Sequence, residues 1–187
     1  IVPVVTSELN NKVYIFNNDR SKTITVKITA GKDNISGIAK LSLPDDWKCS
    51  PEEIQFKMDK KGEEILAVFN VTPSKEISEV EIKSIVTIDN QNYNLSKTDI
   101  NYSHIYKQMV LKPAVAKGLR LKIKTKDEKI GYIMGAGDEV PNCLQQMGYE
   151  VTVYKPEEIN QEILENLDVV ITGIRAYNIL NSLALKQ

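Results

Sequence analysis

Up to about Lys112, hydrophobic and polar residues alternate along the chain. In Lys22–Thr29 the residues Ile24, Val26 and Ile28 point one way, and Thr23, Thr25 and Lys27 the other. Ile65, Ala67, Phe69 and Val71 repeat the pattern, as do Ala39, Leu41 and Leu43, then Val80 and Ile82, then Ile100, Tyr102 and His104. A period of two marks half-buried strands, because successive side chains leave a pleated strand on opposite faces. The separators are turn formers: Asn17-Asn18-Asp19, Gly31-Lys32-Asp33-Asn34, Pro44-Asp45-Asp46, Lys60-Lys61-Gly62 and Asp89-Asn90. About seven or eight short strands at this spacing predict an antiparallel, immunoglobulin-like β-sandwich over residues 1–112.

Beyond Lys117 the period changes. Ile130–Met134 is a short apolar run ending in Gly135-Ala136-Gly137-Asp138. Val140–Met147 predicts a helix, capped by Asp138 and closed by Gly148. Glu150–Tyr154 and Asp168–Thr172 predict further strands, Pro156–Leu167 a second helix, and Tyr177–Leu185 the start of a third. Alternating strands and helices specify a parallel sheet with right-handed crossovers, here a partial α/β domain over residues 129–187. Residues 113–128 are expected to be a linker or an edge strand. In that stretch Lys122, Lys124 and Lys126 alternate with Leu121, Ile123 and Thr125, a basic patch or, by preference, a solvated edge. The chain opens on Ile1 and stops at Leu185-Lys186-Gln187 inside a helical pattern. Both ends are therefore expected to be cuts, which leaves room for a removed targeting segment.

Charge narrows the partners. The chain has 24 basic and 25 acidic groups, 16 and 15 of them in residues 1–118 and the remaining 8 and 10 in residues 119–187. No basic field gathers phosphates, so a dedicated nucleic-acid binder is not expected. No apolar stretch approaches the about 18 residues of a membrane span. The two cysteines, Cys49 and Cys143, fall in different predicted halves and read as isolated thiols.

Several segments carry a family resemblance. Leu43-Pro44-Asp45-Asp46-Trp47, Gly62-Glu63-Glu64 and Phe69-Asn70-Val71-Thr72-Pro73 resemble the sandwich domain found beside bacterial α-galactosidases and other carbohydrate enzymes. Ile130 through Pro141, Gly148-Tyr149-Glu150-Val151 and Thr172 through Asn178 are similar to the C-terminal region of large bacterial PIG-L (LmbE-like) deacetylases. The resemblance implies a parent with an N-terminal catalytic domain, then a sandwich, then a domain similar to flavodoxins and class I glutamine amidotransferases. It also implies a periplasmic or secreted protein. The family's catalytic module is marked by an Ala-His-Pro-Asp-Asp motif that holds zinc. This chain has one histidine, His104, between Ser103 and Ile105, and Asp45-Asp46 has no histidine before it. No catalytic residue carries over, no cofactor is expected in this chain, and zinc is expected only in the catalytic domain. The implied role is an accessory region of a carbohydrate-active hydrolase, its partners the rest of the parent polypeptide and a glycan. The alternative is a carbohydrate-binding module using the sandwich aromatics, for which Tyr14, Trp47, Tyr93, Tyr102 and Tyr106 are the candidates.

Candidate ligand-binding residues cluster at predicted strand ends. Gly135, Gly137 and Asp138 sit where an open parallel sheet binds ligands, before a helix N-terminus that favours anions. They equally make a turn with an Asp cap, since no third glycine and no Walker lysine follow. Arg175 could grip a carboxylate or sugar hydroxyls, or pair with Asp138 or Glu139 and fix two turns. Tyr177 and Asn178 complete such a site or start the next helix. Cys143 lies inside the first helix, where a nucleophile elbow would not place it, and is expected to be buried. Trp47 is a sugar-stacking platform or a core residue. His104 is expected to be structural or interdomain. Last, Ile179, Leu180, Leu183 and Leu185 would expose an apolar patch, so residues 168–187 are expected to self-associate.

Overall fold

A computed structural model describes residues 3–179. They divide into two compact units, one ending at Leu121 and the other starting at Lys122.

The first unit is a β-sandwich. One sheet contains Val5–Leu9 (β1), Lys22–Ala30 (β3), Lys48–Ser50 (β5) and Glu64–Thr72 (β7), in the order β1-β3-β7-β5. The other contains Val13–Phe16 (β2), Ile35–Ser42 (β4), Glu53–Met58 (β6), Ser78–Ile88 (β8) and Val115–Arg120 (β12), in the order β2-β12-β8-β4-β6. Gln91–Tyr93 (β9) pairs with β8 through a hairpin whose turn residues, Asp89 and Asn90, have φ of 50° and 62°. Two left-handed positions are what a two-residue turn between right-twisted strands requires, and Asp and Asn tolerate them. Leu95–Ile100 (β10) and Gln108–Pro113 (β11) form a separate antiparallel ribbon, with β10 packed alongside β1.

The alternating positions meet between the sheets. Ile24, Val26 and Ile28 of β3, Ala67, Phe69 and Val71 of β7, and Ile82 and Val86 of β8 are buried in one cluster. Removing each Val, Ile or Phe side chain from water contributes about 1.5–3 kcal/mol. A buried hydrogen bond from Ser84 Oγ to Ser7 Oγ (2.8 Å) joins β8 to β1.

Three expectations are corrected here. The 113–128 stretch is neither linker nor edge throughout: β12 lies between β2, with which it runs parallel, and β8, antiparallel to it. Its last residue explains the anchoring. Arg120 is buried, and its guanidinium donates to the carbonyls of Ser74, Phe16 and Leu121. The lysines at 122, 124 and 126 belong to no strand. Finally, the alternation at Ile100, Tyr102 and His104 does not continue a strand, because β10 ends at Ile100 and the two aromatics stand exposed in the following loop.

The second unit holds Lys129–Ile133 (β13), Glu150–Tyr154 (β14) and Val169–Thr172 (β15) in a parallel sheet of order β14-β13-β15. Val140–Met147 (α1) follows β13 and ends at Gly148, whose φ of 110° is the left-handed helix stop that glycine makes without strain. The segment expected as one helix from Pro156 to Leu167 is broken in two. Pro156–Glu158 is a single 3-10 turn, and Gln161–Glu165 (α2) starts afresh because the Asn160 side chain accepts from Ile163 N at 3.0 Å. An Asn carbonyl competes with the helical backbone for amides, and here it wins as a cap. Ala176–Ile179 (α3) ends the described chain, packing Ala176 against Ile133 and Ile159.

Candidate functional site

The Gly135–Asp138 and Gly173–Arg175 loops leave the carboxyl ends of β13 and β15, which are neighbours in the sheet. They are laced together. Ala136 N donates to Ile174 O at 2.9 Å, and Gly173 N donates to Ile133 O at 2.8 Å. Gly135 is required where it stands: a Cβ there would run into the Ile174 carbonyl. Gly137, at φ +92°, supplies the left-handed turn.

Asp138 closes the arrangement. Its Oδ1 accepts from the Tyr132 hydroxyl at 2.8 Å and from Val140 N at 3.1 Å, and its Oδ2 accepts from Ile174 N at 3.3 Å. One carboxylate therefore binds a strand residue, the amide that opens α1 and the opposite loop. The cap residue by position is Glu139, whose side chain makes no cap bond, so Asp138 acts from one residue further out. The Tyr132 hydrogen bond, then the two amides, hold the Asp138 carboxyl below the usual carboxylate range. Burial, with the Asp138 charge beside it, pushes the Tyr132 phenol up to about 12.

Arg175 does not join this cluster. Among the described residues no ion pair links it to Asp138 or Glu139, and its φ of 57° turns the chain between Ile174 and Ala176. Tyr177 and Asn178 begin the last helix with exposed side chains, and Asn178 N donates to Arg175 O at 2.9 Å. A groove of about 510 Å³ in this unit runs along β14 from Glu150 to Tyr154, against α2, and is also lined by Lys129, Asn160 and Asn166.

The remaining candidates are redistributed. Trp47 is not a stacking platform: it is 5% exposed, edge-on to Phe16 with ring centroids 5.0 Å apart. Its indole tip comes within 3.1 Å of where a Gly118 Cβ would stand, so Gly118 makes the room. Tyr14 is also buried, its hydroxyl donating to Asn10 Oδ1 at 2.7 Å. Cys143 is exposed rather than buried, because α1 turns Pro141 inward and Cys143 out. Cys49 and Cys143 are both free. Among the described residues no three His, Cys, Asp or Glu side chains gather as metal ligands.

Two of the candidate sandwich aromatics, Tyr102 and Tyr106, share one exposed loop. In the loop between β10 and β11, Tyr102 is 62% and Tyr106 94% exposed, and the Tyr102 and His104 rings stack at 5.8 Å and 24°. The signal was five residues, Tyr102-Ser103-His104-Ile105-Tyr106, where the other turns carry Asn, Asp, Gly and Lys. Assigning Tyr102 and His104 to a strand face hid that the two tyrosines lie in the same loop.

No family model matches the chain, and no curated protein matches it. Among solved structures it is similar to the native conformation of Escherichia coli alpha-2-macroglobulin, at 13% identity and TM-score 0.38 over 62% of this chain and 6% of that one. A structure of the same macroglobulin from domain MG7 to the C-terminus gives 13% and 0.37 over 63% and 16%. WR4, an MSP family member of C. elegans, gives 10% and 0.34 over 63% and 97%. The chain thus spans a small share of the macroglobulin's length. Likenesses this distant assign no activity. No helix among the described residues is long and apolar enough to cross a membrane.

Proposed function

We propose that this chain is a non-catalytic accessory region of a larger carbohydrate-active, N-deacetylase-like hydrolase. In this reading the sandwich is a spacer or substrate-positioning module. The second unit is the N-terminal part of an α/β domain of the flavodoxin and amidotransferase kind. The single observation that supports it best is the use made of Asp138. The carboxylate at the expected ligand-binding end of the sheet already accepts three hydrogen bonds and ties two loops together. A group so committed is a structural staple rather than a base or a ligand grip. Cys143 likewise stands on a helix, away from any strand-end turn that would activate it.

The test is the parent reading frame. It should encode an Ala-His-Pro-Asp-Asp module upstream of Ile1, and Asp138→Asn or Arg175→Ala in the parent should leave deacetylation kcat unchanged. An upstream region without that motif, or loss of kcat in either variant, contradicts the reading.

The proposed partners are the rest of the parent polypeptide and a second copy of this chain. For self-association, the support is β15, an edge strand among the described residues with Val169 and Val170 both exposed on opposite faces. The leucines at 180, 183 and 185, with the Ile179 side chain, lie outside the described residues. Light scattering should show a dimer that Val170→Lys dissociates; a monomer at high concentration removes the idea. The second reading, a carbohydrate-binding module, keeps one specific observation in its favour, the exposed aromatic loop at residues 101–107.

A further inference from the structure

The β10–β11 loop differs from the polar hairpin turns of the sandwich in what it shows to water. The turns at Gly31–Asn34, Lys60–Gly62 and Asp89-Asn90 are polar, whereas this one exposes Tyr102, Ile105 and Tyr106, with Met109 and Leu111 continuing down β11. The loop is closed by a turn in which Ile105 N donates to Tyr102 O at 3.2 Å. A Tyr ring 94% exposed gains nothing from burial within this chain, and concentrated exposed aromatics mark surfaces that bind.

The stem of the same ribbon lines a polar cleft. Lys97 and Asp99 of β10 face Glu8, Lys27 and Glu64 on the outer surface of the first sheet across a cavity of about 190 Å³. A second cavity, about 460 Å³, shares Glu8 and Lys27 and runs on over Thr25 and Leu66. Every charge in the cleft is ion-paired, two lysines against three carboxylates: Lys27 lies between Glu8 at 3.8 Å and Glu64 at 3.6 Å, and Lys97 lies 2.8 Å from Asp99. Such a surface, mixed in sign and one charge from neutral, does not gather a polyanion. It offers hydrogen-bond acceptors and donors side by side, the pattern that satisfies neutral hydroxyls. The loop supplies flat ring faces, on which the C–H face of a sugar can stack. Lipid fits less well, because Asn101, Ser103 and His104 interrupt the apolar tip.

We propose that the ribbon and the adjoining outer face of the first sheet form a glycan-binding surface. Tyr102 and Tyr106 stack on sugar rings, and the Lys27 and Lys97 clusters bind hydroxyls of neighbouring units of a neutral oligosaccharide. This deepens the second reading above and stands on the sandwich alone. Its failure leaves the accessory reading intact, because a spacer needs no sugar contact, whereas hydrolytic turnover would sink that reading and leave this one.

The experiment is calorimetric titration of the whole chain with cellotetraose and chitotetraose, alongside pull-down on insoluble cellulose and chitin. At least one probe should bind at millimolar concentration or tighter. Tyr102→Ala with Tyr106→Ala should weaken that binding at least tenfold without moving the melting temperature. Lys27→Met should weaken it less. No binding of any probe at millimolar concentration overturns the proposal, as does binding that the double tyrosine variant leaves unchanged. Binding of the chain to vesicles of anionic phospholipid, lost in the double variant while no sugar binds, overturns it in favour of a membrane surface.

Discussion

Trp47 separates a sugar platform from a core residue, and replacing it puts a magnitude on the choice. The side chain is 5% exposed, meets Phe16 edge-on at 5.0 Å and fills the space left by Gly118. Trp47→Ala removes a large buried ring, for which truncations cost about 3–5 kcal/mol. The edge-to-face contact with Phe16 accounts for about 0.5–1.5 kcal/mol within that loss. Trp47→Phe should be far milder. It keeps most of the ring volume and discards an indole N–H that is buried without an acceptor among the described residues. Such an orphan donor costs about 1–3 kcal/mol, which the Phe variant recovers against its smaller contact area. At about 4 °C per kcal/mol for a unit of this size, Trp47→Ala should melt about 12–20 °C lower. Urea titration followed by far-ultraviolet circular dichroism measures both variants. Because the chain has one tryptophan, its emission reports on this site alone and should be blue-shifted until the sandwich unfolds. Trp47→Ala within about 1 kcal/mol of the wild type, or emission typical of a water-exposed indole, refutes the reasoning.

Three further outcomes follow from the second unit and the tyrosines. Since Asp138 is held below the usual carboxylate range, its stabilising contacts are fully present at neutral pH and are lost as pH falls through the lowered value; the protection of the Val140 and Ile174 amides, relative to an unfolded chain at the same pH, should fall there, and Asp138→Asn should abolish that pH dependence. Burial raises the phenols of Tyr14 and Tyr132 from 10.0 to about 12, so both should stay neutral as pH passes 10, and stability should fall between pH 10 and 12 because the unfolded chain ionises first; two phenolates missing from an ultraviolet titration at pH 11 is the check. Gly135→Val drives a side chain into the Ile174 carbonyl, should cost about 1–3 kcal/mol and should open the Ala136–Ile174 hydrogen bond to exchange while the sandwich melts unchanged.

The sandwich core was legible because period-two alternation reports a strand's buried face directly: Ile24, Val26, Ile28, Ala67, Phe69 and Val71 all lie where the pattern put them. What escaped was tertiary. Nothing local distinguishes Val115–Arg120 as an inner strand, because its neighbours, β2 and β8, come from distant parts of the chain. Arg120 was invisible for the same reason: a buried guanidinium is explained only by the Ser74 and Phe16 carbonyls that the fold brings to it, beside that of its neighbour Leu121. At the strand-end loops, the glycines and Asp138 were recognised as a turn or a ligand cradle, and residue types alone could not decide. The Tyr132 hydroxyl, six residues away and on the strand before the loop, is what tips Asp138 toward the structural role. Alternation also misled where it ran on past Ile100, since a short aromatic loop can keep period two without being paired.

The measurement that bears most directly on the accessory reading is a turnover assay on the purified chain, supplied with zinc, against an N-acetylglucosaminide and against glutamine. The account predicts release of acetate and ammonia at the rate of the blank, unchanged in Asp138→Asn. Turnover above the blank that Asp138→Asn or Arg175→Ala abolishes would contradict it, and would mean that the laced strand-end loops are an active site after all.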